Sequence, residues 1–341
     1  MKSSGSRPRG RLRRSDCSGP GISRRRHGGG FSYLDPEGGR IGDEDTLGRI
    51  RALAIPPAWR EVWICGDPYG HIQATGLDEA GRKQYLYHER WHLRAAQRKF
   101  ESMREFAARL PRLRGEVKKD LAREGMPRER ALACAVRLLD LGFFRIGGEE
   151  YVETNESYGV ATVLREHVSI EGEEIVFDFP AKSGQRRVQS IRDPEVKKAI
   201  EAMRRRRSGP DDLLVFREDG AWRDVRSEEV NAYLQAKAGE EFSAKDFRTW
   251  HGTVLAAVEL AREGAPDSRG RGERKIRAAI KRVAERLGNT PAVCRSSYID
   301  PRVLDRFRDG KTIELPRLAS EETVTPRQQD KIERRVLELI E

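Results

Sequence analysis

Near residue 90 the chain changes its hydrophobic period, and that change dictates a fold in two parts. Between residues 31 and 90 the apolar residues come in short strand-like runs: Phe31-Ser-Tyr-Leu34, Val62-Trp-Ile-Cys65, His71-Ile-Gln-Ala74 and Gln84-Tyr-Leu-Tyr87. Gly38-Gly39 and Asp67-Pro-Tyr-Gly70 supply turn chemistry between them. From Glu89 the spacing becomes helical, with Phe100, Met103, Phe106 and Leu110 on one face, and Pro127 opens a more buried helix through Leu132, Val136 and Leu139. The expected fold is α+β: a β-rich N-terminal domain over residues 31–92, then a mainly helical domain with a small β-sheet over residues 93–341.

The small sheet is read from Val168-Ser-Ile170, Ile175-Val-Phe-Asp-Phe179 and Arg187-Val-Gln-Ser-Ile191, with Lys182 at a hairpin tip in Ala181-Lys-Ser-Gly-Gln185. Three helices are expected beyond it: Glu228 to Lys237 capped by Ser227, Ala244 to about Arg262 capped by Ser243, and Glu273 to Leu287 with Ile276, Ile280, Val283 and Leu287 on one face. Gly288 ends the last of these, Thr290 and Pro291 begin a short helix carrying Tyr298, and Pro301 closes that segment.

Charge narrows the partner more than the fold. The net charge is +11, but residues 1–30 hold nine Lys or Arg against one Asp, so the folded part is only mildly basic. This stretch reads as a flexible leader, either simply solvated or adding nonspecific phosphate contacts. Arg204 to Arg207 reads either as a phosphate contact or as favourable charge at a helix C-terminus. Asp43-Glu-Asp45 is the one dense acidic cluster, and it is expected to cap a helix through Asp45 rather than to hold a metal.

Cys17, Cys65, Cys134 and Cys294 are too scattered for a zinc site or a disulfide framework. With no apolar signal-peptide core and no membrane-length run, a soluble intracellular protein is expected. No G-x-x-x-x-G-K-[ST] pattern indicates nucleotide use, and no cofactor is expected.

The candidate chemistry is phosphoryl transfer. Tyr298 lies nine residues after Asn289 in Leu287-Gly-Asn-Thr-Pro, and upstream come Lys245-Asp-Phe-Arg248, Phe143-Phe-Arg-Ile-Gly147 and Pro180-Ala-Lys-Ser-Gly184. A phenol with an ordinary pKa near 10 attacks phosphorus only when positive charge and hydrogen-bond donors favour the developing phenolate. Arg145 and Arg248 suit that task because a guanidinium stays charged and grips two oxygens. Lys182, crowded by arginines, suits protonation of a leaving alkoxide.

Taken in this order, the motifs resemble the type IB DNA topoisomerases of the small bacterial and poxvirus-like branch. The resemblance runs from about residue 30 to 310 and includes Leu53-Ala-Ile-Pro-Pro-Ala-Trp59 and Gln84-Tyr-Leu-Tyr87. It implies a covalent 3′-phosphotyrosine at Tyr298, transition-state stabilisation by Arg145 and Arg248, and Lys182 as general acid. Asn289 stands where many relatives carry a histidine that binds a nonbridging phosphate oxygen. Lys245, Gln84, Tyr85 and Tyr87 match DNA-contacting positions, though alternation also allows the two tyrosines to pack in the core. The implied partner is double-stranded DNA, gripped by one chain acting as a clamp in the cytoplasm or nucleoid without metal or ATP. A tyrosine recombinase shares this catalytic set but usually has His-x-x-Arg in place of Lys245-Asp-Phe-Arg248, and a helical first domain. A noncatalytic DNA-binding relative is the other alternative.

Overall fold

The computed structural model describes residues 11–142, 144–148, 157–181, 184–316 and 326–341. The chain divides into two compact units, Met1–Lys99 and Phe100–Glu341. The expected boundary at residue 92 falls within a long helix, α2 (Glu89–Leu121), and the division lies further along it, after Lys99, where the buried face of that helix begins at Phe100.

In the first unit an antiparallel five-stranded sheet has the order β2-β1-β3-β4-β5. The strands are β1 (Ile22–His27), β2 (Gly30–Leu34), β3 (Arg60–Ile64), β4 (Ile72–Leu77) and β5 (Lys83–Tyr87). Ile22, Val62, Ile64 and Ala74 bury one face against Ile50 of α1 (Glu44–Ala52), with Trp59 and Leu86 packed around them. Alternate side chains of a strand face opposite ways, so the same strands keep a polar face.

β1 corrects the expectation of a flexible leader over the described part of residues 1–30. Its run of arginines hides a strand that pairs with β2 from Ser23↔Leu34 to His27↔Gly30 and with β3 at Ile22↔Ile64. Arg24 is spent on the fold, donating to the carbonyls of Ile55, Pro56 and Trp59. Asp43, not Asp45, caps α1, accepting the Thr46 N–H at 2.8 Å, because the helix starts at Glu44.

The second unit is mainly helical. α2 packs its Phe100, Met103, Phe106 and Leu110 face inward, and α3 (Arg128–Gly142) is buried along most of its length. Phe106 lies 4.9 Å edge-on from Phe247 and 5.4 Å from Phe242, and Trp250 is fully buried. A three-stranded antiparallel sheet, β6 (Val168–Glu171), β7 (Glu174–Ala181) and β8 (Gln185–Ile191), buries Phe177 and Phe179 against Phe144.

Then follow α4 (Pro194–Arg204), a hairpin of β9 (Val215–Glu218) and β10 (Ala221–Asp224), and helices α5 (Ser227–Ala238), α6 (Ala244–Glu263), α7 (Arg269–Leu287), α8 (Pro291–Ser297), α9 (Pro301–Arg308) and α10 (Pro326–Ile340).

Three local expectations change. Ser227 is the first residue of α5 rather than its cap, and the Glu229 carboxylate instead accepts the Arg226 N–H at 3.0 Å. Pro301 opens α9 instead of closing a segment, since Asp300 caps that helix by accepting from Arg302 N–H. In the basic stretch at the end of α4, Arg206 is buried and donates to the carbonyls of Met203 and Pro210, so that side chain secures a loop.

Candidate active site

The site is assembled at the C-terminal end of α7. A helix leaves its last carbonyls without intrahelical partners and carries partial negative charge there. Gly288 ends α7 in the left-handed conformation (φ 62°, ψ 50°), and the Asn289 N–H turns back to the Ala284 carbonyl at 3.0 Å. The carbonyls of three successive residues are left facing outward, and each accepts from a different arginine. Arg187 Nη2 donates to Arg286 O at 2.8 Å, Arg248 Nη2 to Leu287 O at 2.7 Å, and Arg145 Nη2 to Gly288 O at 3.3 Å. Arg145 Nη2 also donates to Asn289 Oδ1 at 2.6 Å.

These arginines come from separate elements. Arg145 follows α3, where Val160 and Ala161 N–H groups bond the carbonyls of Arg145 and Ile146 and fix its backbone. Arg187 is on β8, on the inward face with Gln189 and Ile191. Arg248 is in the first half of α6, whose start is secured by Asp246 accepting the Ser243 N–H at 2.8 Å; its side chain is only 4% exposed. Arg145, Arg187 and Arg248 line one cleft of about 200 Å³ together with Phe179, Gln185 and Gly288.

Tyr298 is brought to the same place by α8. Thr290 caps that helix through the Val293 N–H at 3.3 Å and Pro291 supplies its first residue. The tyrosine itself is the C-cap rather than a helical residue, with φ −131° and its N–H bonded to Cys294 O. Its backbone is held against α6 by close approach: a Cβ on Gly252 would sit 2.5 Å from the Tyr298 carbonyl oxygen. One residue further on α6, the Thr253 hydroxyl lies 3.3 Å from that carbonyl and accepts the Asp300 N–H at 3.1 Å.

The backbone is thereby fixed, and the Arg248 guanidinium carbon lies 5.1 Å from the ring centroid. Burial by itself raises the phenol pKa. The charges and side-chain hydrogen bonds of Arg248 and Arg145 outweigh that effect, leaving the hydroxyl below its ordinary value. Burial and the nearby Arg145 push Arg248 down to about 10, still protonated at neutral pH.

Of the residues singled out from sequence, Arg145, Arg248, Asn289 and Tyr298 come together in this way. Lys182 lies outside the described residues, in the sequence between Ala181 of β7 and Gln185 of β8. Lys245 is exposed in the first turn of α6. In the N-terminal unit Tyr85 is 42% exposed and stacks on Tyr87 with centroids 6.1 Å apart, while Gln84 donates to Asp78. Leu86 on the opposite face is the one that enters the core. Arg187 was missed from sequence. Its signal was a charged residue at an inward position of an alternating strand.

Comparison with known proteins places this sequence in a family. Residues 88–314 match the family model for the eukaryotic DNA topoisomerase I catalytic core, and residues 30–78 match that for the bacterial DNA topoisomerase IB N-terminal domain. DNA topoisomerase 1B of Acanthamoeba polyphaga mimivirus is 31% identical over 299 residues, covering 85% of this chain and 88% of the viral one. DNA topoisomerase 1B of vaccinia virus (strain Copenhagen) is 22% identical over 246 residues, 71% of this chain and 74% of its own. DNA topoisomerase 1 of Schizosaccharomyces pombe is 28% identical over 165 residues, 48% of this chain but 19% of the yeast protein. With its catalytic-core match spanning most of the helical unit and its viral relative aligned nearly end to end, the chain belongs to the type IB DNA topoisomerase family.

Proposed function

We propose that this chain relaxes supercoiled duplex DNA by breaking and resealing one strand through Tyr298. The phenol gives its proton to water as its oxygen attacks a backbone phosphorus, an O–P bond to Tyr298 forms, and the bond to the 5′ oxygen breaks. The cleaved strand keeps a 3′-phosphotyrosine and its partner end leaves as a 5′ hydroxyl. Charge that accumulates on the nonbridging oxygens is met by Arg145 and Arg248, the donor arrangement that most lowers such a barrier. Lys182 gives its proton to the 5′ oxygen. The duplex beyond the nick then rotates, and the 5′ hydroxyl reverses the attack. Because the phosphodiester energy is kept in the tyrosyl ester, neither ATP nor metal is required.

The observation that carries this reading is the convergence of Arg145 and Arg248 on the Tyr298 hydroxyl, with both guanidiniums held by carbonyls. Asn289 offers its amide N–H to a nonbridging oxygen, being neutral and unable to relay a proton. Lys245, Gln84, Tyr85 and Tyr87 add contacts to duplex DNA. The chain works as a monomer on DNA in the cytoplasm or nucleoid; among the described residues no helix is long and apolar enough to cross a membrane.

The test is incubation with negatively supercoiled plasmid in EDTA without ATP. A ladder of progressively relaxed topoisomers is expected, and an unchanged plasmid would overturn the reading. Tyr298→Phe should still bind DNA but give no SDS-resistant protein–DNA adduct. An adduct that survives this substitution would move the nucleophile elsewhere.

A further inference from the structure

Arg187 is built into the site as firmly as the two arginines beside the phenol, yet its own hydrogen bonds go elsewhere. Its Nη2 donates to Arg286 O at 2.8 Å and to Gln189 Oε1 at 3.1 Å, and its Nε reaches the same Gln189 oxygen at 3.3 Å. That leaves Nη1, which lies against Gly288: a Cβ there would be 2.9 Å from it. Among the described residues Nη1 has no hydrogen-bond partner and Arg187 no ion pair. The guanidinium faces the cleft that Arg145 and Arg248 also line.

Three cations around one cleft repel one another. Burial first, and then the charge of Arg145, push the Arg187 pKa below its ordinary value, and Arg187 in turn lowers that of Arg248. A fold gains nothing from collecting like charges where carbonyls alone hold them, so an anion that enters the cleft is the natural complement.

Position decides which anion. The Arg248 guanidinium lies 5.1 Å from the Tyr298 ring and, with Arg145, draws the phenol pKa down, so these two flank the reacting phosphorus, whereas the hydrogen bonds of Arg187 go to Arg286 and Gln189. It is anchored one carbonyl back along α7 from Arg248. Building on the proposed topoisomerase chemistry, we infer that Arg187 is a third phosphate-binding arginine, donating Nη1–H to a nonbridging oxygen of the phosphate next to the scissile one on the cleaved strand. It acts by holding the strand in register for attack, with no covalent part in the reaction.

The experiment compares the full chain with Arg187→Ala and Arg187→Lys in single-turnover cleavage of a duplex whose cleavage position has been mapped by its covalent adduct. One methylphosphonate, which removes a single charged oxygen, is placed in turn at each phosphate around that position. On unmodified DNA, Arg187→Ala is expected to cleave about tenfold more slowly, a loss of one charge-assisted contact. The slope of log K against log salt should fall by about one. Arg187→Lys should restore that slope. At the phosphate adjacent to the scissile one, the methylphosphonate and Arg187→Ala should no longer multiply, because each removes the same contact.

A residue that merely ties β8 to α7 would give defects that multiply at every phosphate and a salt slope unchanged by Arg187→Ala, and either result overturns the inference. No covalent adduct with the unaltered chain would instead sink the topoisomerase reading itself, so the two failures are distinguishable.

Discussion

The helical unit holds two groups of arginines that differ in what neutralises them. Around Asp140, Arg114 makes paired bonds, Nε to Oδ2 at 2.9 Å and Nη2 to Oδ1 at 2.8 Å, and also grips both oxygens of Glu333. Arg137 bridges Asp140 and Asp193 at 2.8 and 3.0 Å. Around the end of α7, by contrast, Arg145, Arg187 and Arg248 are held by the carbonyls of residues 288, 286 and 287. A carboxylate cancels a guanidinium's charge, whereas a carbonyl orients it and leaves the charge in place. The first group ties α2, α3 and α10 together; the second keeps its field, which in the proposed chemistry is met by a phosphate. α6 serves both, presenting Arg248 to the cleft and, one turn on, His251 to Asp140 at 3.6 Å.

If this division is right, the two groups should fail differently when broken. Arg114→Ala leaves Asp140 and Glu333, 4% and 7% exposed, without their main counter-charge. It should cost about 3 kcal/mol of stability in a denaturant melt, the usual penalty for stranding a buried charge. Cleavage per folded molecule should change less than about threefold, a shift within 0.7 kcal/mol. Arg248→Ala and Arg145→Ala should show the converse, each slowing single-turnover cleavage by at least about 10²-fold, near 2.7 kcal/mol. Stability loss matching that of Arg114→Ala would erase the distinction.

Acid should separate the groups without mutation. Burial by itself raises the Asp140 pKa, but Arg114 overrides it, with help from His251 and Arg137, and pushes the carboxyl down to about 2. A depressed carboxylate stabilises the fold above the unfolded pKa near 3.9, and that stability disappears as pH falls toward the folded value. Thermal stability should therefore drop by about 2 kcal/mol between pH 4 and pH 2. An Asp140→Asn variant, already less stable, should lose less over the same window; an equal loss would assign the acid sensitivity to other carboxylates.

This contrast shows why part of the site was legible in sequence and part was not. Tyr298, Arg145, Arg248 and Asn289 stand in motifs whose order is diagnostic, and local signals such as Gly288, Thr290 and Pro291 place α7 and α8 correctly. The sheet of the N-terminal unit was legible from Val62 to Tyr87 because apolar runs alternate with turns. β1 was hidden by a run of arginines, of which Arg24 finds its carbonyls only in the tertiary fold. Arg187 was hidden for a related reason. Whether an arginine meets a carbonyl or a carboxylate depends on residues far away in sequence, here Arg286 at a separation of 99. Pro301 was misread because a proline both stops one helix and starts another, and Asp300 as its cap decides the matter.

Asn289 allows the division to be tested at one atom. Its Oδ1 accepts from Arg145 Nη2 at 2.6 Å, and because arginine only donates, this bond fixes which way the amide points. The Nδ2 group then has only a long contact, 3.5 Å, to Leu287 O, and can turn a proton toward a phosphate. Asn289→Asp keeps the shape but puts a carboxylate against Arg145, making a carbonyl-held arginine into one like Arg114. The lost donor and the partly cancelled charge should together slow single-turnover cleavage by about tenfold, near 1.4 kcal/mol, with no loss of thermal stability. Asn289→Ala removes the donor without adding charge and should be milder. Equal defects in the two variants would mean that the charge left uncancelled on Arg145 is not what the site depends on.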